Sequence, residues 1–140
     1  MLAGTLVAQT NPVKWSVTTQ KVNDSEYDLI FTAEIQSGWY VYSEYLPSDD
    51  GPVATSVELS FVPGVKPVGS PKESGDKHEG HDEMFDMKVT KFSKTFKIAQ
   101  RVSVATKGSK QIAALLTYMC CNNAQCLPPR DEEFTFVIEK

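Results

Sequence analysis

The sequence predicts an all-β protein, an antiparallel sandwich. Short runs of alternating apolar and polar residues recur along the chain, turn signals rich in Gly, Pro, Asn and Asp separate them, and no stretch carries a convincing helical period. Roughly seven to nine such strands in one chain is the pattern of a two-sheet sandwich. The 140 residues fit one domain with a real core. The charge balance is 14 basic against 18 acidic residues, net −4, with no basic stripe, which excludes a nucleic-acid surface. No apolar run approaches the ~20 residues that span a bilayer.

Taken in order, residues 1–9 are small and apolar and read as the tail of a secretory signal or as an ordinary N-terminal segment. Residues 1–10 are accordingly set aside as a signal remnant or disordered N-terminus, and residues 11–140 form the domain. Residues 15–21 suggest a first strand, and Asn23-Asp24-Ser25 a turn. Tyr27, Leu29, Phe31, Ala33 and Ile35 alternate with polar neighbours, as a strand with one buried face requires. Ser37-Gly38 turns the chain into the aromatic residues 39–45. A loop at 47–52 leads to Val57, Leu59 and Phe61, and Pro63-Gly64 ends that strand. Residues 66–86 are polar and charged, the longest stretch expected to lack structure. Alternation returns over 89–99 and past a bend at Val102 and Val104. Lys107-Gly108-Ser109 is a turn, residues 112–118 are apolar, and 134–138 alternate.

All three cysteines, Cys120, Cys121 and Cys126, lie between these last two runs, in a loop rich in Asn and closed by Pro128-Pro129. The loop reads as the tip of a long-looped β-hairpin. A vicinal Cys120–Cys121 bridge would strain its peptide. Cys121–Cys126 and Cys120–Cys126 are therefore the two possible pairings. Successive strand residues face opposite ways, so only one of the adjacent cysteines shares a face with Cys126. A bridge closing so short a loop gains about 2 kcal/mol by chain entropy, little for a domain of this size. A reversible dithiol, by contrast, is served by a short loop that opens and closes without rearranging its surroundings. The other readings are an extracellular binding module with a structural disulfide, and a zinc site drawing on the cysteines with His78 and His81. The two histidines read more simply as solvated loop residues.

The segment Tyr118-Met-Cys-Cys-Asn-Asn-Ala-Gln-Cys126-Leu-Pro-Pro129 resembles the N-terminal domain family of DsbD, the thiol:disulfide interchange protein of the bacterial inner membrane. The segment from His81 to Asp86 resembles that family's acidic-Phe cap loop, and the strand Trp39-Tyr40-Val41-Tyr42 is similar to its aromatic strand. The resemblance implies an immunoglobulin-like sandwich in the periplasm with one redox pair and no cofactor. It also implies a soluble, monomeric domain of a membrane-embedded parent. Such a domain receives electrons from a thioredoxin-like domain of the same full-length protein and reduces exported thioredoxin-fold substrates, among them disulfide isomerases and cytochrome c maturation thioredoxins.

Carried onto this sequence, Cys126 forms mixed disulfides with partners and Cys121 is the resolving thiol, Asn122 to Gln125 reading as a compact turn. Cys120 is the alternative first cysteine and a departure from the family pattern. Phe85 is the cap residue, flanked by Glu83 and Asp86, and Tyr40, Tyr42 and Tyr118 are expected to line the pair. The only cation near the pair in sequence is Arg130, and Asp131, Glu132 and Glu133 follow it. Fast reaction is therefore expected only in partner complexes.

Overall fold

The computed structural model describes residues 11–140, so the expected signal remnant at 1–10 lies outside the described residues. Nine strands and no helix occur among the described residues, and every strand pairing is antiparallel. The architecture is an immunoglobulin-like β-sandwich.

The larger sheet begins with β1 (Val13–Lys21) against β2 (Glu26–Ile35). Asn23 closes the turn between them, its side-chain oxygen accepting from the amides of Ser25 and Glu26 at 2.9 Å each. Strand β2 pairs along the C-terminal half of β6 (Met87–Val104), and β3 (Tyr40–Tyr42) pairs near the N-terminal end of β6. Beyond β3 lies β8 (Cys120–Cys121), and β5 (Val65–Asp82) takes the other edge of β6. The smaller sheet runs β4 (Ser56–Ser60), β7 (Ser109–Tyr118), β9 (Arg130–Glu139).

The main core lies between the sheets. Leu29, Phe31, Phe96 and Ile98 from the large sheet meet Ile112, Leu116, Phe136 and Ile138 from the small one, all fully buried. The expected alternation thus marks strands with one covered face. Trp15 packs edge-on against both Phe96 and Tyr118, and Phe31 against Phe136, geometries that add to plain burial.

The structure corrects the expectation of an unstructured segment at 66–86. Most of it is the 18-residue strand β5, hairpinned onto β6. An edge strand can be polar on both faces because its backbone ladder, not a buried stripe, holds it, and edge charge discourages unwanted pairing. Only Val65 and Asp82, at its two ends, are buried. The ladder shifts register twice, between Val68 and Lys72 and between Gly75 and Asp76. At the second shift Lys94 sits in the left-handed region (φ 61°) and Gly75 at φ 135°. A Cβ on Gly75 would lie 2.2 Å from the Thr95 carbonyl oxygen, so only glycine permits this approach. The aromatic strand expected over 39–45 is also shorter, ending at Tyr42. Ser43 and Glu44 turn instead toward β5, where the Glu73 carboxylate accepts from the Ser43 hydroxyl and the Glu44 amide.

Candidate functional site

One corner of the large sheet is covered on both faces. All three residues of β3 are buried, which is why it shows no alternation. Val41 faces the main core with Cys120 and Phe92. Tyr40 and Tyr42 face the opposite side, where they form a second cluster with Val89, Met119 and Cys121. The period-2 rule sorts the cysteine segment in the same way: Tyr118 and Cys120 go to one side, Met119 and Cys121 to the other.

Cys121 is joined to Cys126 by a disulfide, and Cys120 is a buried free thiol. Cys121 is fully buried, whereas Cys126 is half-buried at the lip of the cluster. The intervening loop is held by its own hydrogen bonds. The Asn122 side-chain oxygen accepts from the amides of Ala124 (2.9 Å) and Gln125 (2.8 Å), and the Asn122 amide donates to the Gln125 carbonyl at 2.8 Å. The Leu127 amide donates to the Cys120 carbonyl at 2.9 Å, closing the loop's base. The Tyr40 hydroxyl donates to the Asn122 carbonyl at 3.2 Å, tying β3 to the loop.

Over this cluster folds the turn at 83–86, the tip of the β5–β6 hairpin. Phe85 is half-buried, packing edge-on against Tyr42 with ring centres 6.0 Å apart. The turn is anchored by Asp82, whose carboxylate is buried at 4% exposure. One of its oxygens accepts from the amides of Met84 (2.9 Å) and Phe85 (3.2 Å); the other accepts from the Tyr42 hydroxyl (3.0 Å). Burial, then the neighbouring Tyr40 and Asp82, pushes the Tyr42 phenol far above its ordinary value, so it remains a donor to Asp82. Asp86 completes the turn in the left-handed region (φ 52°).

The residues expected at the site are thus distributed unequally. Tyr40 and Tyr42 pack in the cluster around Cys121, and Phe85 lies over it. Tyr118 does not line the pair. It packs in the main core against Trp15, its hydroxyl accepting from Asn11 at 2.8 Å, because it shares the face of Cys120. Glu83 and Asp86 point to solvent, and Asp86 meets the His81 ring nitrogen at 3.1 Å. Three contributors escaped the sequence reading. Asp82 fixes the turn, Met84 brings its sulfur to 3.5 Å from the Cys126 sulfur, and Lys91 sets its ammonium 3.9 Å from the Tyr40 ring centre. The apolar pair Met84-Phe85 set among acidic residues was the available signal for Met84; nothing in sequence marked Lys91.

Burial raises the Cys120 thiol above its ordinary value, with nearby Arg130 pulling the other way. Such a thiol is weakly nucleophilic. His78 and His81 are exposed on β5, and among the described residues no three His, Cys, Asp or Glu side chains converge as a metal site. Among those residues no helix is long and apolar enough to cross a membrane.

A cysteine pair set into the rim of an immunoglobulin-like sandwich, under a turn carried by a hairpin, defines a class of cystine-bearing β-domains with a capped disulfide. The chain belongs to the family described as thiol:disulfide interchange protein DsbD, N-terminal, whose model matches residues 7–138. That family makes it a thiol–disulfide interchange domain in kind. Among solved structures it is similar to the DsbD N-terminal domain of Neisseria meningitidis in its reduced form, with 22% identity and a TM-score of 0.53 over 89% of this chain and 86% of that one. It is also similar to a Neisseria meningitidis complex of the DsbD N-terminal and PilB N-terminal domains, at 22% identity and a TM-score of 0.54, covering 86% and 80%. The N-terminal periplasmic domain of ScsB from Proteus mirabilis aligns at 12% identity and a TM-score of 0.60, over 91% of this chain but 47% of that one. At these identities the likenesses show the fold. No curated relative matches the chain.

Proposed function

We propose that this domain relays electrons by thiol–disulfide exchange at Cys121 and Cys126, in the periplasm, between a thioredoxin-like domain of its parent protein and exported thioredoxin-fold substrates. The observation that carries the reading is the asymmetry of the pair. A fully buried Cys121 is bonded to a half-buried Cys126, on a loop that is also held by its own backbone and Asn122 hydrogen bonds. The complex of the Neisseria meningitidis DsbD N-terminal domain with the PilB N-terminal domain supports a partner domain for this one.

In the receiving direction a partner thiolate attacks the Cys126 sulfur. The Cys121–Cys126 bond breaks, and Cys121 leaves as a thiolate that takes up a proton. The partner's second thiolate then attacks its own linked sulfur, releasing Cys126 and leaving the partner oxidised. Two electrons and two protons have entered the pair. In delivery the Cys126 thiolate attacks a substrate disulfide. Cys121 then attacks Cys126, which restores the bridge and frees the reduced substrate. Cys126 is the attacked and attacking sulfur because Cys121 is shut inside the aromatic cluster.

Trapping tests the roles. Mixed with an oxidised thioredoxin-fold partner, reduced Cys121→Ser should accumulate a mixed disulfide through Cys126, since its resolving thiol is gone. Absence of that adduct, or an adduct at Cys120, would overturn the assignment. Titration in thioredoxin or glutathione buffers addresses the pair as a whole. A bridge that stays closed below about −300 mV belongs to a structural disulfide instead.

A further inference from the structure

Between the cap turn and the cysteine loop lies an open polar cleft lined by Tyr40, His81, Asp82, Met84, Lys91 and Asn123. Met84 is 45% exposed there, unlike Met119 at 7%. Its thioether sulfur also touches the Cys126 sulfur at 3.5 Å in the disulfide form, so the two sulfurs are already in contact before the bridge opens. The Asp82 carboxylate fixes this placement by accepting from the Met84 amide at 2.9 Å. A thioether in an open polar cleft is the sulfur that peroxides meet first while the cysteine pair is bonded, and a cysteine in van der Waals contact is the group placed to undo the damage once the bridge is reduced.

We propose that Met84 is a reversible oxidation site, oxidised by hydroperoxides and repaired by the Cys121–Cys126 dithiol. In the first step the thioether attacks a hydroperoxide. Its O–O bond breaks, an S–O bond forms at Met84, and the peroxide leaves as water or an alcohol. The sulfur is oxidised by two electrons. In the repair step the Cys126 thiolate attacks the sulfoxide sulfur, and the oxygen departs as water with the two protons of the dithiol. Cys121 then attacks Cys126, expelling the Met84 thioether and closing the disulfide. One sulfoxide is reduced for each disulfide formed. The repair step rests on the reading that the pair cycles between disulfide and dithiol. The substrate class is small hydrophilic peroxides, for the cleft is polar and carries the Lys91 ammonium and His81.

The test uses the disulfide form treated with hydrogen peroxide and mapped by mass spectrometry. Met84 should gain one oxygen about tenfold faster than Met119. The oxidised protein is then reduced with dithiothreitol, the reductant is removed without air, and thiols and oxygen content are followed together. The expected result is loss of the Met84 oxygen in step with loss of two thiols, in wild type but not in Cys126→Ser. Oxidation that does not favour Met84 would overturn the proposal. So would a Met84 sulfoxide that survives beside two free thiols at Cys121 and Cys126; in that case the exchange reading stands. If dithiothreitol opens no bridge, the thiol count shows it, and both readings fall together.

Discussion

Replacing Asp82 by alanine should uncap the cysteine pair. The wild-type carboxylate accepts three hydrogen bonds, from the Met84 amide, the Phe85 amide and the Tyr42 hydroxyl, at 2.9, 3.2 and 3.0 Å. Bonds to a charged acceptor contribute about 1.5–3 kcal/mol each, and they are not additive when one group makes all three. Removing the carboxylate also strands the Tyr42 hydroxyl, which is fully buried, at a cost of about 1–3 kcal/mol. Part of this loss falls on the whole fold and part on the turn alone. If the turn's share is about 2 kcal/mol, the open population rises roughly thirtyfold. Alkylation of the reduced pair by iodoacetamide tracks that population when the turn opens and closes faster than the reagent reacts. The assay is therefore a quenched time course of Cys126 modification, with urea unfolding as the control for global stability. Tyr42→Phe keeps both amide bonds and should leave the alkylation rate within about threefold of wild type. An Asp82→Ala protein that remains folded and alkylates at the wild-type rate would refute the claim that this carboxylate holds the turn closed.

Three further outcomes follow from particular contacts. Phe85→Ala removes the ring packed on Tyr42 and should speed alkylation of the reduced pair by small reagents, with a stability loss of about 1–2 kcal/mol because the ring is only half-buried; an unchanged rate would remove Phe85 from the capping role. Cys120→Ala should leave exchange at Cys126 intact, at a cost of about 1 kcal/mol for the lost buried sulfur, and native Cys120 should resist alkylation that reaches reduced Cys126; modification of both at equal rates would contradict its burial. Burial, reinforced by the neighbouring Glu73 carboxylate, pushes Glu44 up to about 7, so the folded state holds this proton more tightly than the unfolded one. Its charge penalty is absent in acid and grows as pH rises from the ordinary carboxyl range through neutrality. Glu44→Gln should consequently raise the urea midpoint more at pH 8 than at pH 5, and an equal shift at both would argue against a perturbed Glu44.

The strands that border the main core were legible because each shows one face to it. Leu29, Phe31 and Ala33 in β2, or Ile112, Ala114 and Leu116 in β7, write the period of two directly into the sequence. Strand β5 was not legible. Its 18 residues are held by backbone pairing to β6, and backbone pairing leaves no apolar signature. The cysteine pair could be narrowed to two choices, and strand alternation then decides the matter: Cys121 turns to the aromatic cluster with Met119, Cys120 to the core with Tyr118. Asp82 was hidden among acidic neighbours. In sequence it equals Glu83 and Asp86, and only its burial at the end of β5, facing Tyr42, sets it apart. Tyr118 misled for the complementary reason, since nearness along the chain to the cysteines put it on the wrong side of the sheet.

The cap rides at the far end of a hairpin whose other end, Val65 against Val104, is rooted in the main core. Four turn residues can therefore be lengthened, shortened or rewritten while the sandwich that carries them stays as it is. On the exchange reading proposed above, which molecules reach the sulfur atoms would be set at that tip, apart from the residues that make the domain fold.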